Sequence, residues 1–591
     1  MPKRGCCETW GVLIWLIQLA VTWLSWQFQY VDSLKDIALK YELLRQRPIV
    51  PVLLLWAASF GCYLAALRTA IRCRNQRRLT EVIVLFAFCF RAVLLFSEPI
   101  QEVDIYRYVW DGAAIATGVS PFCYSPEQVT CSCRADELPD DLRRLVELHD
   151  SSPALATSLS RVHFAHLPTV YPPVSQAVFA AACMTTPRAA SVRTRLAVMR
   201  IWLLLFDLGT IVVLGLLVRH GGKPDGWVLA YAWCPLVLKE FANSGHLDSI
   251  TVCLTMLALY LCLRVFCPTQ TVDHSAAAPS LRRNGLPTIV AAAALLALVV
   301  GAKLYPLVLV PLLAATSLRL LGPIRTLLPA AVFVAVTAAV CAPLLFGRIT
   351  SSPLPATNVR DTAFSESVPR PIPPDVETPQ DPRRGLKTFL NRWEMNDFFF
   401  LILVENLDPA AGKPPQQQAW FVVTSRGWRS QLVSRTSELL SLDPKRVPFL
   451  LTRFLCSVVF LALAVRWSVR YSGTGPSDDF LRGAFLTLAW FWLLLPTQNP
   501  WYWIWALPLI PFARSRAWLI VSGLTLLYYS RFWFGYHWPA SPVLGTPYRG
   551  TLFFDFVVTW LEFGPWIVWL SLDSLRFRTF LTKSCARWSG I

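Results

Sequence analysis

Charge is what this 591-residue chain has least of. Asp, Glu, Lys and Arg make up 16% of it, against 54% for hydrophobic residues, whereas a water-soluble protein carries about a quarter charged residues. That scarcity excludes an ordinary soluble domain. Acid is scarcer than base, 37 residues against 55. The resulting +18 net charge is what cytoplasmic loops rich in Lys and Arg give a membrane protein, so no nucleic-acid partner is expected. Zinc-type spacing is absent from the 16 cysteines, many of which sit inside apolar runs, where a thiol is a small hydrophobe. Cys123, Cys131 and Cys133 share one loop. In an oxidising compartment they suit a disulfide, and an inert set explains them equally. No small-residue cleavage site follows the first apolar run, which begins after Lys3 and Arg4 and reads as a retained helix. No internal repeat is evident, which weakens an inverted-repeat transporter.

What the chain has in abundance is long apolar runs. Segments 9–28, 49–67, 80–97, 196–218, 248–266 and 326–346 each approach the ~20 residues that span hydrocarbon. The 25 tryptophans and 16 tyrosines suit membrane interfaces. RTAIRCRNQRR (68–78) has five arginines and no acid, which places it in the cytoplasm. Segment 98–170, beyond the next helix, then faces outward, and it carries eleven acidic and five basic residues. The short apolar stretch 171–184 opens with Pro172 and Pro173. If it dips and returns rather than crossing, most Lys and Arg of the later short loops lie inside, so the dip is favoured.

The expected fold is an all-α polytopic membrane protein of about fourteen helices with both termini inside. Its divisions are an N-terminal two-helix addition (1–79), a core (80–346) containing the first outer loop (98–170), a second large outer loop (347–446) and C-terminal helices (447–591). The second loop is proline-rich and polar at its start, and 267–286 is a polar cytoplasmic linker.

The unusual short stretches then gather on the outer face. EVDIYRYVWDG (102–112) holds three carboxylates, an arginine and three aromatics. Asp104 and Asp111, seven residues apart, fall on one side of a helix, and Arg107 is close enough to pair with Asp104. A solvated interfacial helix anchored by Tyr106, Tyr108 and Trp110 explains the same pattern. His246 and Asp248 interrupt an apolar stretch at a turn, as an acid–base pair or as solvated turn residues. Lys303 lies between two apolar helices, either snorkelling or meeting a phosphate. Glu240, Arg91, Arg200 and Asp207 lie within apolar runs, where ionisable groups are functional candidates.

Taken in order, these motifs resemble one family. Asp104-x-x-Arg107-Tyr108-x-Trp110-Asp111-Gly112, then Gly118-x-x-Pro121-Phe122, is similar to the first outer loop of GT-C membrane glycosyltransferases, closest to bacterial polyprenyl-phosphate-mannose-dependent mannosyltransferases. Tyr171-Pro172-Pro173 resembles that family's YPP, and Gly245-His246-x-Asp248 its GHND turn, with Leu247 in place of Asn. Lys303-x-Tyr305-Pro306 resembles its K-x-x-P turn, Trp393-x-x-Asn396 its W-x-x-N element, and Pro500-Trp501-Tyr502 its late PWY. The similarity runs over roughly 85–510.

The resemblance implies a hexosyltransferase, with mannose as the expected sugar, in the bacterial cytoplasmic membrane with its cavity on the periplasmic face. A polyprenyl-phosphate sugar is the donor, and a glycan, lipid or protein is the acceptor. The resemblance implies Asp104 as general base, with Asp111 also in catalysis, and Arg107, Lys303 and His246 at the donor, and the chemistry of sugar transfer agrees. Trp110, Tyr171, Asp248, Trp393, Asn396, Trp501 and Tyr502 are the substrate-binding candidates. No cofactor is called for; a divalent metal is compatible with the chemistry, but nothing in the sequence asks for one. A transporter or lipid-linked glycan flippase using Arg91 and Asp207 is the alternative. A scaffold, or a related enzyme with another sugar, are the others.

Overall fold

The computed structural model describes residues 6–28, 37–73, 76–131, 138–267, 285–346, 380–408, 417–472 and 477–588. Cys133, most of the 267–286 linker and the proline-rich start of the second loop lie outside them. No β-strand forms among the described residues; two isolated bridges, Met395–Thr497 and Pro542–Arg549, are the nearest approach to one. Among the described residues, seven helices are long and apolar enough to cross a membrane: Cys7–Ser25, Leu39–Ile71, Val192–His220, Asp248–Phe266, Pro323–Phe346, Val447–Tyr471 and Gly550–Leu575. Pro173–Met184, Leu286–Val300 and Tyr305–Leu321 are shorter apolar helices. Pro173–Met184 rises only about 18 Å, well short of a ~30 Å hydrocarbon core.

The helices that position the site are α1 (Cys6–Ser25), α2 (Ile49–Ile71), α3 (Gln76–Leu94), α4 (Asp104–Ala116), α5 (Pro173–Met184), α6 (Val192–His220) and α7 (Asp248–Phe266). α1 packs on α2 and α3. Buried Ile14, Trp56, Tyr63 and Phe90 from these helices share one apolar core with Trp233, Trp503 and Trp518. Tyr63 donates to the Ala230 carbonyl at 2.8 Å, tying α2 to the segment before the site.

That segment, 225–243, is not one helix. It runs through 3-10, α and π pieces, interrupted near Pro224 and Pro235, which cannot donate to a helical ladder. Every residue from Val228 to Cys253 is buried. Irregular backbone at membrane depth needs such burial or a cavity to line, and here it has burial.

The charges that a transporter would use are tied to one another. Arg91 on α3 and Asp207 on α6 form a buried ion pair, with 3.2 Å between Nη2 and Oδ1. Tyr231 donates to Asp207 at 2.7 Å, and Arg91 to the Ala232 carbonyl at 2.9 Å. Arg200 donates to the Ser97 carbonyl at 2.6 Å, pinning the chain where it leaves α3. These groups hold helices together instead of lining a path.

α4 and α5 cross closely. A Cβ on Gly112 would stand 2.4 Å from the Phe179 carbonyl oxygen, so this crossing requires glycine. The start of α5 is clipped to the 301–303 turn: Val174 N–H donates to the Gly301 carbonyl and Ser175 Oγ to the Ala302 carbonyl, both at 2.8 Å. The first turn of α5 is therefore tied to the turn that carries Lys303.

Candidate active site

Asp104 is the first residue of α4, and its side chain is one-third exposed, while residues 105 to 114 behind it are buried. α4 is thus packed on all sides rather than lying solvated at an interface. The approach to it is fixed by Asn243, which accepts from Ile100 N–H at 3.1 Å and donates to Ser97 Oγ and the Glu98 carbonyl at 2.8 Å.

Opposite Asp104 stands His246. Gly245 before it has φ +71°, and a Cβ there would meet Ile105 Cδ1 at 2.7 Å, so glycine lets this turn close against α4. His246 N–H donates to the Glu240 carbonyl at 3.0 Å, closing the π-helical segment. The imidazole stacks on Trp501, with 4.1 Å between centroids and 16° between planes. Nδ1 lies 4.0 Å from Asp104 Oδ2, and Nε2 lies 3.3 Å from Glu240 Oε2, close but off the axis of a hydrogen bond. Leu247, the departure from GHND, is buried in the apolar cluster that contains α4.

Lys303 does not snorkel. Its ammonium donates to both Asp248 oxygens at 2.7 and 2.8 Å and lies 4.3 Å from the Tyr502 ring centroid and 5.3 Å from that of Trp505. Trp505 Nε1 also donates to Asp248, at 2.6 Å, and stacks on Tyr305 and Tyr502. Burial pushes the lysine below its usual range, while Asp248 and, more weakly, Asp104 oppose that. Tyr171 is half-buried, edge-on to Tyr108; burial, with the Asp104 carboxylate adding, keeps its phenol protonated. Asp104, His246, Asp248, Lys303, Tyr171, Trp501 and Tyr502 therefore form one constellation.

Other candidates are placed elsewhere. Arg107 pairs with Asp111 at 2.9 Å, not with Asp104, and also donates to the Leu167 carbonyl at 3.1 Å. Asp111 takes a further hydrogen bond from Gln176 of α5 at 3.0 Å and is almost fully buried. Trp110 is buried in the apolar cluster around α4. Trp393 packs on Phe164, 4.3 Å between centroids. Asn396, buried with φ +49°, donates to the Gln498 carbonyl and to Glu562, both at 3.1 Å. With Met395 N–H on the Pro496 carbonyl and Gln498 N–H on the Met395 carbonyl, the W-x-x-N element splints the strand-like entry to Pro500–Trp503. Its visible contacts position Trp501 and Tyr502.

Several site residues escape the sequence motifs. Glu102 accepts from Tyr528 at 3.3 Å. Burial pushes its carboxyl up to about 7, His246 works against that shift, and Asp104 adds to it. Lys239 donates to Ser244 at 2.6 Å and Tyr529 at 2.9 Å, and Tyr529 donates to Glu240 at 2.6 Å. Glu240 is already a candidate as an ionisable group in an apolar run, and the adjacent Lys239 is the signal for its partner; Trp505 offers none. Among the described residues, no three His, Cys, Asp or Glu side chains are grouped to hold a metal ion.

An open carboxylate, a neighbouring imidazole and a cation roofed by aromatics suit transfer of a group from a phosphate to a hydroxyl. A family model described as alpha-(1->6)-mannopyranosyltransferase, N-terminal domain (the MptA_B family), matches residues 10–319. No curated protein and no solved structure matches the chain.

Proposed function

The chain belongs to the alpha-(1->6)-mannopyranosyltransferase family, and from that premise we propose that it moves mannose from a polyprenyl-phosphate donor to a glycan or lipid acceptor on the outer, periplasmic face. It is a membrane glycosyltransferase; the donor, acceptor and face are our reading. The observation that carries it is the contrast among the motif carboxylates: Asp104 alone stands open, beside His246 and near Lys303.

In this reading the acceptor hydroxyl attacks the anomeric carbon from the side opposite the phosphate. Asp104 takes the hydroxyl proton as the new carbon–oxygen bond forms. The carbon–oxygen bond to phosphate breaks, and the electron pair leaves with the polyprenyl phosphate. Lys303 uses two of its N–H groups on Asp248 and offers the third to the departing phosphate, where a preorganised cation counts most. Trp501 and Tyr502 give the sugar apolar faces. One displacement inverts the centre, so a β-linked donor yields an α-linkage, as the family name requires.

The test is purified protein with a panel of radiolabelled polyprenyl-phosphate sugars and a membrane lipid extract. Transfer from the mannosyl donor, with nucleotide-mannose inactive, is expected. Transfer from a pentosyl donor alone would replace the sugar, and transfer only from the nucleotide sugar would remove the lipid donor.

A further inference from the structure

His246 is built into this site in a way that sugar or phosphate binding does not require. It is buried and clamped face-on by Trp501, with one ring nitrogen toward the open carboxylate and the other toward a buried one. The Glu240 carboxylate is in turn held by Tyr529 and Lys239, the lysine by Ser244, and Lys239 lies 4.3 Å from the Tyr529 ring centroid. A lone buried imidazole for hydrogen bonding to a ligand needs no second carboxylate behind it.

We infer that His246 receives the proton that Asp104 takes from the acceptor, and that Glu240 stabilises the imidazolium so formed. The inference rests on the mannosyltransferase reading and on Asp104 as its base. Transfer from Asp104 to Nδ1 places the positive charge between two carboxylates, Asp104 at 4.0 Å and Glu240 at 3.3 Å, which offset the cost of burying it. The 4.0 Å gap closes by a small rotation of the Asp104 side chain or through one water. The steps balance: the hydroxyl proton passes to Asp104, then to Nδ1, leaving Asp104 an anion and His246 a cation between Asp104 and Glu240. Water recovers the proton when the products leave. Without the relay, the base would have to discharge on the side from which donor and acceptor approach.

The groups facing His246 are Asp104 on α4, Glu102 ahead of it and Glu240 across the π segment; Lys239, Tyr528 and Tyr529 stand behind them. His246 acts on the reaction through Asp104, as a positioning and proton-accepting group. Removing the imidazole uncovers the Trp501 face it stacks on at 4.1 Å, where free imidazole can stack in its place.

The experiment compares His246→Ala, His246→Gln and Asp104→Asn in purified full-length protein, with donor KM and kcat measured separately. Both His246 variants should lose about ten- to a hundred-fold in kcat at unchanged donor KM. Added imidazole should restore His246→Ala by at least several-fold and leave Asp104→Asn unaffected. A raised donor KM with kcat intact would overturn the relay and make His246 a donor ligand. Failure of imidazole to rescue a folded His246→Ala would also overturn it. An active Asp104→Asn would instead sink the base assignment beneath it, so the two failures are distinct. Should the His246 variants not fold, Tyr529→Phe leaves the relay in place and frees one Glu240 oxygen. A several-fold fall in kcat supports the relay, and an unchanged kcat overturns it.

Discussion

Asp104 and Asp111 sit two turns apart on one helix with opposite surroundings. Asp104, at the helix start, is partly open and faces His246 at 4.0 Å. Asp111 is sealed between α4 and α5, bonded by Arg107 and Gln176. The same residue type is left partly open at one end and tied into the helix packing at the other; in the mannosyltransferase reading the first is the base and the second a brace. What separates them is the helix crossing at Gly112, which buries one end of α4 and leaves the other at the site.

The largest expected effect breaks that comparison directly. Asp104→Asn keeps shape and loses the base, so transfer should fall about 10²- to 10⁴-fold while donor binding and thermal stability in detergent hold. Asp111→Ala should do the reverse. It strands a buried guanidinium, at about 3–5 kcal/mol of stability, and the protein that does fold should transfer mannose at a rate within about ten-fold of the parent. If Asp111→Ala abolishes transfer in folded protein and Asp104→Asn spares it, the two carboxylates have been assigned the wrong way round.

Lys303 comes next. It is braced like Asp111 yet borders the open side like Asp104. Lys303→Met removes a charge-assisted contact worth about 1.5–3 kcal/mol, so donor KM should rise by about ten-fold or more, with acceptor KM little changed. Unchanged donor kinetics would leave Lys303 only the task of holding Asp248.

How far the sequence reveals this depends on the kind of contact. Long apolar runs with few charges announce helices: four of the six runs noted fall within membrane-length helices, and a fifth, 9–28, overruns Cys7–Ser25 by three residues. Every residue from Val228 to Leu247 is buried, polar and apolar alike, so no solvent-facing stripe betrays the breaks and the π piece within it. Asp104 is legible because an acid at a helix start beside a bilayer needs a reason. Its partner is not: residues three and four away on a helix are both in reach of Arg107, and Gln176, a distant residue on α5, decides for Asp111. Trp393 and Asn396 are legible as a pair, but their task as a splint depends on a pairing with 496–498 that spans a hundred residues. Trp505 needs the fold, since only the broken helix after Pro500 turns its indole to Asp248.

The smallest effect concerns Glu102, two residues from Asp104 and buried where Asp104 is open. Its carboxyl lies at about 7 in the fold, against an ordinary value of 4.5. Below pH 4.5 it is protonated folded or unfolded, and contributes nothing. Between there and pH 7 the unfolded chain gives up the proton that the fold retains, so stability falls as pH rises. Above 7 the disadvantage is complete, about 3 kcal/mol. Glu102→Gln keeps an oxygen for Tyr528 and cannot ionise. Its thermal midpoint should match the parent near pH 5 and exceed it at pH 8, with transfer at pH 7 changed by no more than about five-fold. Equal stabilisation at both pH values would mean that burial does not raise this carboxyl. Glu102 would then stand as an ionised neighbour of Asp104, and openness would no longer be what distinguishes the two.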